Sequence, residues 1–323
     1  MSETGVYRQY RKSLLSSERV RELSRLRPAR AVVDTIACWL IIFSAWAFVA
    51  WHPTWWTVLI AIPIIGTRAY ALMIIAHDGL HRRLFPGVRA NDLFNDLFVV
   101  GSFGAITRIN NRNHLSHHNH LATEEDPDRH KYTCINKDTG LKLLSYVVGG
   151  QVLISIWNVI GPGEKKSRPA SEKISRTLRD LLILIGWQAF LWTTLTLLIG
   201  WWAVPVLWYF PFFVFALLGD NFRTFAEHTQ PEPDALGDTH RLITYDSNFV
   251  ERMFFAPLNM NYHTAHHLWT SIPYYNLPSA DAEIRNHPEA VGLEWRKSYI
   301  VCLFRYWMAM PLEGCRSTGQ AQS

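Results

Sequence analysis

Histidine is the residue whose spacing carries most of the chemistry in this sequence. The chain holds 14 histidines in 323 residues, and eight of them form three short groups. The first group has the spacing H-x-x-x-H and the other two have H-x-x-H-H: His77, His81, His114, His117, His118, His263, His266 and His267. Residues three and four positions apart share one face of a helix. Each group can therefore direct two or three imidazoles, common ligands of iron, zinc and copper, at one point.

Single histidines have simpler interpretations. We expect the isolated His52, His130, His240 and His287 to be solvent-exposed or capping side chains. His120 stands beside the second group but off its spacing, so we expect it outside the ligand set. A histidine-rich loop can bind metal opportunistically. The occurrence of H-x-x-H-H at two distant places favours a built site instead.

The number of imidazoles bears on the number of ions. A structural zinc takes four ligands, and a catalytic zinc takes three ligands and a water molecule. Eight or nine histidines therefore fit two ions with open positions. Zinc and iron both accept imidazole, so the ligand type alone does not choose between them.

Apolar segments must position these histidines. Residues 35–51 carry no charge, an apolar run continues beyond the His52-Pro53 turn to Ala76, and residues 181–219 carry no charge over 39 positions. About 20 apolar residues cross a bilayer as a helix. The pattern predicts two helical hairpins, with spans at about 35–51, 53–76, 181–199 and 202–219. Tryptophans at both turns suit the membrane interface.

Basic residues predict which side of the membrane each segment occupies. Eight Lys or Arg residues lie within 1–30 and six within 164–179. Cytoplasmic loops are the Lys- and Arg-rich ones, so an even number of spans should separate these two segments. The apolar run at about 143–163 would make the number odd, and we therefore expect an interfacial or re-entrant helix there. Both termini and all three histidine groups then face the cytoplasm.

Composition excludes several classes of protein. Hydrophobic residues make up 49% of the chain and charged residues 18%, which excludes a disordered protein. The four cysteines are far apart and form no C-x-x-C pair, which argues against a disulfide scaffold or a zinc ribbon. The basic segments fit lipid headgroups better than a nucleic-acid partner, and no cleaved signal peptide is expected. We expect a basic segment at 1–34, a membrane domain at 35–295 and a tail at 296–323.

The three histidine groups on a four-span chain resemble the membrane fatty acid desaturase superfamily, which includes acyl-lipid desaturases and carotenoid hydroxylases and ketolases. The resemblance covers roughly residues 70–280. It extends to Glu125-Asp126-Pro127-Asp128 after the second group, Asn261-Tyr262 before the third, and the stretch from Ile272 to Pro278 after it. These motifs are highly specific for the superfamily and weakly specific for the reaction.

The resemblance implies an all-α integral membrane protein with a cytoplasmic helical cap, in which the histidines hold two iron ions and O2 is the co-substrate. It also implies a further ligand between the last span and the third group, which we carry to His228. No catalytic side chain is expected beyond the metal centre. Asp78, Arg223, Glu227 and Asn261 are expected either to orient imidazoles or to serve at the surface and as helix caps.

The activity implied by the resemblance is desaturation of a fatty acyl chain in a lipid. The alternatives are a hydroxylase or ketolase of a carotenoid or other lipid, and a histidine-rich metal transporter, although a transporter places its ligands at mid-depth in the membrane. The sequence has no haem motif, no G-x-G-x-x-G and no iron–sulfur cysteine set, so we expect a separate electron donor, a ferredoxin or a cytochrome b5-type protein. Arg68, inside the second predicted span, is either a functional residue or a marker of the interface.

Overall fold

The computed structural model describes residues 10–121, 123, 125–132, 144–145, 177–229 and 242–308. This part of the chain is mostly helical, as predicted. The helices are α1 (Ser17–Leu23), α2 (Pro28–Trp51), α3 (Trp55–Leu80), α4 (Val88–Phe98), α5 (Thr107–His120), α6 (Arg129–Tyr132), α7 (Leu178–Leu198), α8 (Pro205–His228), α9 (Phe249–Phe255), α10 (His263–Leu268), α11 (Leu277–Ile284) and α12 (Tyr299–Trp307). The expected interfacial helix at 143–163 lies, apart from residues 144–145, outside the described residues.

Four of these helices, α2, α3, α7 and α8, are long and apolar enough to cross a membrane. Their number is as predicted, but the helices extend beyond the charge-free runs. Helix α2 begins at Pro28 and includes Arg30 and Asp34, whose Nε and Oδ2 atoms lie 2.7 Å apart. A charged residue near a helix end therefore does not limit the helix when a partner one turn away neutralises it.

The length of α3 places the first histidine group near the membrane surface. The helix has 26 residues and is therefore about 39 Å long at a rise of about 1.5 Å per residue. Its start is fixed by Thr54 and Thr57, which form a reciprocal capping box. The hydrocarbon core of a bilayer is about 30 Å thick. Because His77 lies in the last turn of α3, its imidazole is expected near the edge of that core.

Helix α3 is the central helix of the bundle, and it packs against α2 and against α8. Gly66 makes the second contact possible, since a Cβ atom at this position would lie 2.2 Å from Cδ2 of Phe215. Small residues commonly allow such close approach between helices in membranes. Arg68, two residues after Gly66 in the same helix, is partly exposed.

Helix α8 is irregular in its first half. Two π-helical segments, Pro205–Tyr209 and Phe212–Leu218, precede a regular α-helix that begins at Gly219 and ends at His228. The helix thus continues past the predicted end at 219 and carries three polar residues of interest, Arg223, Glu227 and His228, on its last turns.

A short parallel pair of strands corrects the expectation of a purely α-helical chain. Strand β1 (Ile243–Tyr245) pairs with strand β2 (Glu294–Arg296), with Thr244 opposite Trp295. Strands of three residues have no periodic pattern long enough to be recognised in a sequence. The expected boundary at residue 296 falls in β2, and α12 follows it, with the Tyr299 ring stacked on Tyr245 at 4.0 Å between centroids.

Candidate metal centre

Nine histidines from four helices meet where α3 and α8 end. Ligand nitrogens of His77, His81, His114, His118 and His266 all lie within 4.8 Å of one another, and those of His117, His228 and His267 do the same. Nε2 of His263 lies 3.0 Å from Nε2 of His228, which adds it to the second set. We call the two sets the five-histidine cluster and the four-histidine cluster.

These nine residues are the predicted metal ligands, and the structure brings all of them together. They come from the end of α3, from α5, from the end of α8 and from α10. The other described histidines stay apart: His120 is exposed and its Nδ1 lies 3.0 Å from the carbonyl oxygen of Ser116, His52 is exposed, and His287 is partly exposed. His240 and the side chain of His130 lie outside the described part of the chain.

The spacing of the nitrogens fits metal coordination. In the five-histidine cluster, Nε2 of His114 lies 2.7 Å from that of His81 and 3.1 Å from that of His118, which is 3.2 Å from that of His266. Two ligands at right angles around an ion, each at a metal–nitrogen distance of about 2.1 Å, have nitrogens about 3.0 Å apart. The 3.0 Å between His228 and His263 agrees equally well.

Burial keeps the imidazoles outside the membrane helices neutral. Desolvation, followed by the charge of Arg83, lowers the pKa of His81 to about 3. Desolvation also lowers the pKa of five others well below the usual value, with neighbouring imidazoles adding to the effect: His114, His118, His263, His266 and His267. The neutral ring is the form of histidine that binds a metal.

Several buried ring nitrogens lack a hydrogen-bond partner among the described residues. Nε2 of His267 is one, and it belongs to a ring whose centroid lies 4.2 to 5.2 Å from those of His118, His263, His228 and His117. An unpaired buried polar atom costs about 1–3 kcal/mol. A cation among these rings would bind that nitrogen, so the donor set fits a pair of metal ions.

Asp126 is a site residue that the spacing of the histidines did not reveal. Its Oδ1 lies 2.9 Å from Nδ1 of His117, and the hydroxyl of Tyr132 donates to its Oδ2. A carboxylate can only accept, so it holds the Nδ1 hydrogen of His117 and leaves Nε2 free for a metal. The acidic segment after the second histidine group was the sequence signal, but nothing in it distinguishes Asp126 from its acidic neighbours.

Glu227 and Arg223 also lie in the centre. Oε2 of Glu227 is 3.2 Å from Nδ1 of His263, and its Oε1 accepts a hydrogen bond of 2.6 Å from the hydroxyl of Tyr299. Arg223 donates to Glu227 at 3.0 Å and to Asp220 at 2.7 Å. The two carboxylates balance the guanidinium, and all of these groups are part of α8 except His263 and Tyr299.

The other two predicted supporting residues have different partners. Oδ2 of Asp78 accepts the backbone N–H of Tyr274 at 2.9 Å, while its Oδ1 lies 3.9 Å from Nδ1 of His77, beyond hydrogen-bonding distance. Asp78 thus ties the first histidine group to the segment after the third. Asn261 donates through Nδ2 to the carbonyl oxygen of Tyr245 at 2.9 Å and so holds β1, with no imidazole as its partner.

Three asparagines fix the end of α3, where the first histidine group lies. Asn91 and Asn95 of α4 donate to the carbonyl oxygens of Gly79 at 2.8 Å and Ala76 at 3.2 Å, and Asn111 of α5 donates to that of Leu80. The last carbonyl groups of a helix have no partner within the helix. The sequence pattern missed these residues because a side chain that binds a distant carbonyl leaves no periodic signal.

Comparison with known proteins gives consistent matches. A sequence model of the family described as fatty acid desaturase matches residues 53–299. A beta-carotene ketolase of Paracoccus sp. (strain N81106) is 25% identical over 257 residues, which cover 74% of this chain and 88% of the ketolase. A dihydrorhizobitoxine desaturase of Bradyrhizobium elkanii is 27% identical over 285 residues, which cover 82% of this chain and 78% of that enzyme. Both relatives bear the names of oxidoreductases.

Proposed function

Since this chain belongs to the fatty acid desaturase family, we propose that it is a di-iron membrane enzyme that uses O2 to desaturate a fatty acyl chain in a lipid. The observation that carries this proposal is the convergence of nine imidazoles in two clusters at the ends of apolar helices. Removing hydrogen from an unactivated methylene group requires an oxidant that protein side chains do not provide, and a bound iron pair with O2 would supply that chemistry.

The side chains of this protein have three tasks in such a reaction. The nine histidines hold the metal ions in their neutral form, and Asp126 and Glu227 face the outer nitrogens of His117 and His263 and fix the orientation of those rings. Burial of the clusters limits the access of water, which would otherwise consume a reactive oxidant. The lipid-facing helices allow an apolar chain to arrive from the bilayer.

We propose that the reducing equivalents come from a separate protein. The described N-terminal region, α1 and its surroundings, carries exposed basic side chains at Lys12, Arg21, Arg25 and Arg27. Such a surface attracts an acidic partner and accelerates its association at low ionic strength. We propose that the electron donor is a ferredoxin or a cytochrome b5-type protein. We expect the rate of electron transfer to fall with added salt, and a rate independent of salt would contradict electrostatic steering.

A second candidate reaction is suggested by the ketolase relative, which matches over most of its own length. In that reaction the same centre would add oxygen to a carotenoid or another lipid. A metal transporter receives less support, because the clusters lie at the helix ends, whereas transporters bind their ions near the middle of the membrane.

Product analysis tests the proposal directly. The chain is expressed in a host membrane, and the lipids are compared by mass spectrometry with and without 18O2. Desaturation gives a product lighter by two hydrogens and free of 18O, whereas ketolation or hydroxylation gives one that contains 18O. We expect His117→Ala to reduce product at least 100-fold, since it removes a clustered imidazole.

His120→Ala is the matched control. It removes an exposed histidine from the same helix, three positions further on, which belongs to neither cluster. It should retain most of the wild-type product. The desaturase proposal is wrong if no oxygen-dependent double bond appears with the carriers and donors supplied, or if His117→Ala retains full activity.

A further inference from the structure

The two clusters differ in what surrounds them. In the four-histidine cluster, two imidazoles face a buried carboxylate that is itself held by a buried tyrosine. Nδ1 of His117 lies 2.9 Å from Asp126, to which Tyr132 donates. Nδ1 of His263 lies 3.2 Å from Glu227, to which Tyr299 donates at 2.6 Å. The two arrangements come from separate parts of the chain. Asp126 is hydrogen-bonded to His117, whereas Glu227 lies within ion-pair distance of His263 and also pairs with Arg223.

The five-histidine cluster has no such arrangement among the described residues. The Nδ1 atoms of His77, His118 and His266 are buried and have no hydrogen-bond partner there. Asp78 is the carboxylate beside His77, but it lies 3.9 Å from the ring nitrogen and accepts the backbone N–H of Tyr274 instead. The five-histidine cluster therefore has more candidate ligands, whereas the four-histidine cluster has carboxyl groups beside two of its rings.

This difference has a predictable effect on metal affinity. A carboxylate that accepts the hydrogen of one ring nitrogen makes the other nitrogen a stronger electron donor and fixes its direction. A negatively charged carboxylate near the cation also strengthens its binding, because electrostatic interactions are stronger in a buried site than in water. Arg223 reduces the effect of Glu227, but Asp220 in turn balances Arg223.

We propose that the four-histidine cluster binds its iron more tightly than the five-histidine cluster, so that the two sites fill in order, and that Asp126 with Tyr132 and Glu227 with Tyr299 are the positioning residues responsible. This inference rests on the proposed di-iron function. It concerns the order and strength of iron binding, which are measured without any turnover.

Iron titration followed by Mössbauer spectroscopy tests the order of filling. The purified full chain is stripped of metal in detergent, and 57Fe(II) is added anaerobically in steps up to two equivalents. At one equivalent we expect a single dominant quadrupole doublet, and a second doublet should grow only with the second equivalent. Two doublets that grow together in equal proportion from the first addition would overturn the inference.

Isosteric variants identify the cluster that fills first. Asp126→Asn and Glu227→Gln each replace the carboxyl group that faces an imidazole with an amide of nearly the same shape. Each should weaken the first-filled site by about 10–100-fold, measured by competition with a chelator, and leave the affinity of the second site within about 2-fold. Loss confined to the second doublet, or equal loss of both, would overturn the assignment.

Asp281→Asn is the control for removal of a buried carboxylate as such. Among the described residues, Asp281 accepts a hydrogen bond from Trp295 at 2.9 Å and pairs with Arg285 at 2.8 Å, and neither partner is a histidine. Its iron titration should match that of the wild type. Ordered filling in a protein that gives no oxygen-dependent product would leave this inference standing and contradict the proposed function, whereas simultaneous filling in an active enzyme would do the reverse. A chain that takes up no iron would overturn both.

Discussion

At the scale of single residues, the buried neutral imidazoles make the protein sensitive to acid. In the unfolded chain a histidine takes up a proton at about pH 6.5. In the folded chain His81 does so only at about pH 3, and the pKa of five others outside the spans is lowered as well. Below about pH 6.5 the unfolded state therefore binds more protons than the folded state, and stability falls as the pH is lowered.

We expect the melting temperature of the metal-stripped protein in detergent to fall between pH 7 and pH 5. Each histidine with a lowered pKa reduces the free energy of unfolding by up to about 1.4 kcal/mol per pH unit below about pH 6.5. His114→Gln removes one of these groups and should reduce the slope, and the exposed His120→Gln should not. A melting temperature that does not change over this pH range would contradict the prediction.

At this scale the sequence predicts the histidines of the two clusters but not the side chains that orient them. The repeated spacings predict eight of the clustered histidines, because a metal requires several donors on one helix face. His228 came from resemblance alone, since it stands outside the three groups. Asp126 and Tyr132 were not predicted in their roles, because the carboxylate that meets a given ring nitrogen is decided by the packing of α5 and α6 against other helices.

At the scale of elements, the approach of α8 to α3 positions the two histidine-bearing helix ends. Gly66→Ala should disturb this contact, since its Cβ would lie 2.2 Å from Phe215. Overpacking of a tight contact costs about 1–3 kcal/mol. We therefore expect a lower melting temperature and weaker retention of iron in detergent.

Gly186→Ala is the matched control for a glycine in a membrane helix. No atom lies within 4 Å of a Cβ built at Gly186 in α7, so alanine fits without displacing a neighbour. This variant should melt within about 1 °C of the wild type or slightly above it, because alanine is the better helix former. An equal loss of stability in both variants would mean that the close approach at Gly66 is not what determines the effect.

Hydropathy predicts the four long helices, but it makes each of them too short. The predicted spans stop at charges, whereas α2, α7 and α8 include charged residues that have partners nearby, such as Asp180 with Arg108 and Arg223 with Glu227. The β1–β2 pair joins segments about 50 residues apart in sequence, and neither strand is long enough to show alternation. Long-range pairing of this kind depends on the assembled tertiary structure.

At the scale of the whole molecule, we propose that both termini and the metal centre lie on the cytoplasmic side. The side chains of Trp51 and Trp55 at the turn between α2 and α3, and of Trp201 between α7 and α8, are highly exposed. Tryptophan favours the membrane interface. The ends of α3 and α8 that carry the histidines are the opposite ends of these helices.

Cysteine labelling in intact host cells tests this orientation. In a variant without the four natural cysteines, an impermeant maleimide should label His52→Cys from outside and should label Arg89→Cys only after permeabilisation. Both positions are exposed, at the turn before α3 and in α4 after the first histidine group. Labelling of both from the same side would exclude the proposed topology.

The arrangement of the centre as a whole was predicted better than its details. An even number of spans places all three histidine groups on one side, and the nine residues do meet. Their division into a set of five and a set of four was not predictable, because His117 and His118 are adjacent in sequence and belong to different clusters. The helical twist of about 100° per residue sends neighbouring side chains in different directions.

The distribution of the ligands along the chain has a consequence for biosynthesis. The five-histidine cluster requires His266 and the four-histidine cluster requires His267, and both follow the last span. During translation neither binding site exists until the final hairpin has entered the membrane and the segment after it has left the ribosome. Under the proposed di-iron function, iron is therefore delivered to a polypeptide whose spans are already in the membrane.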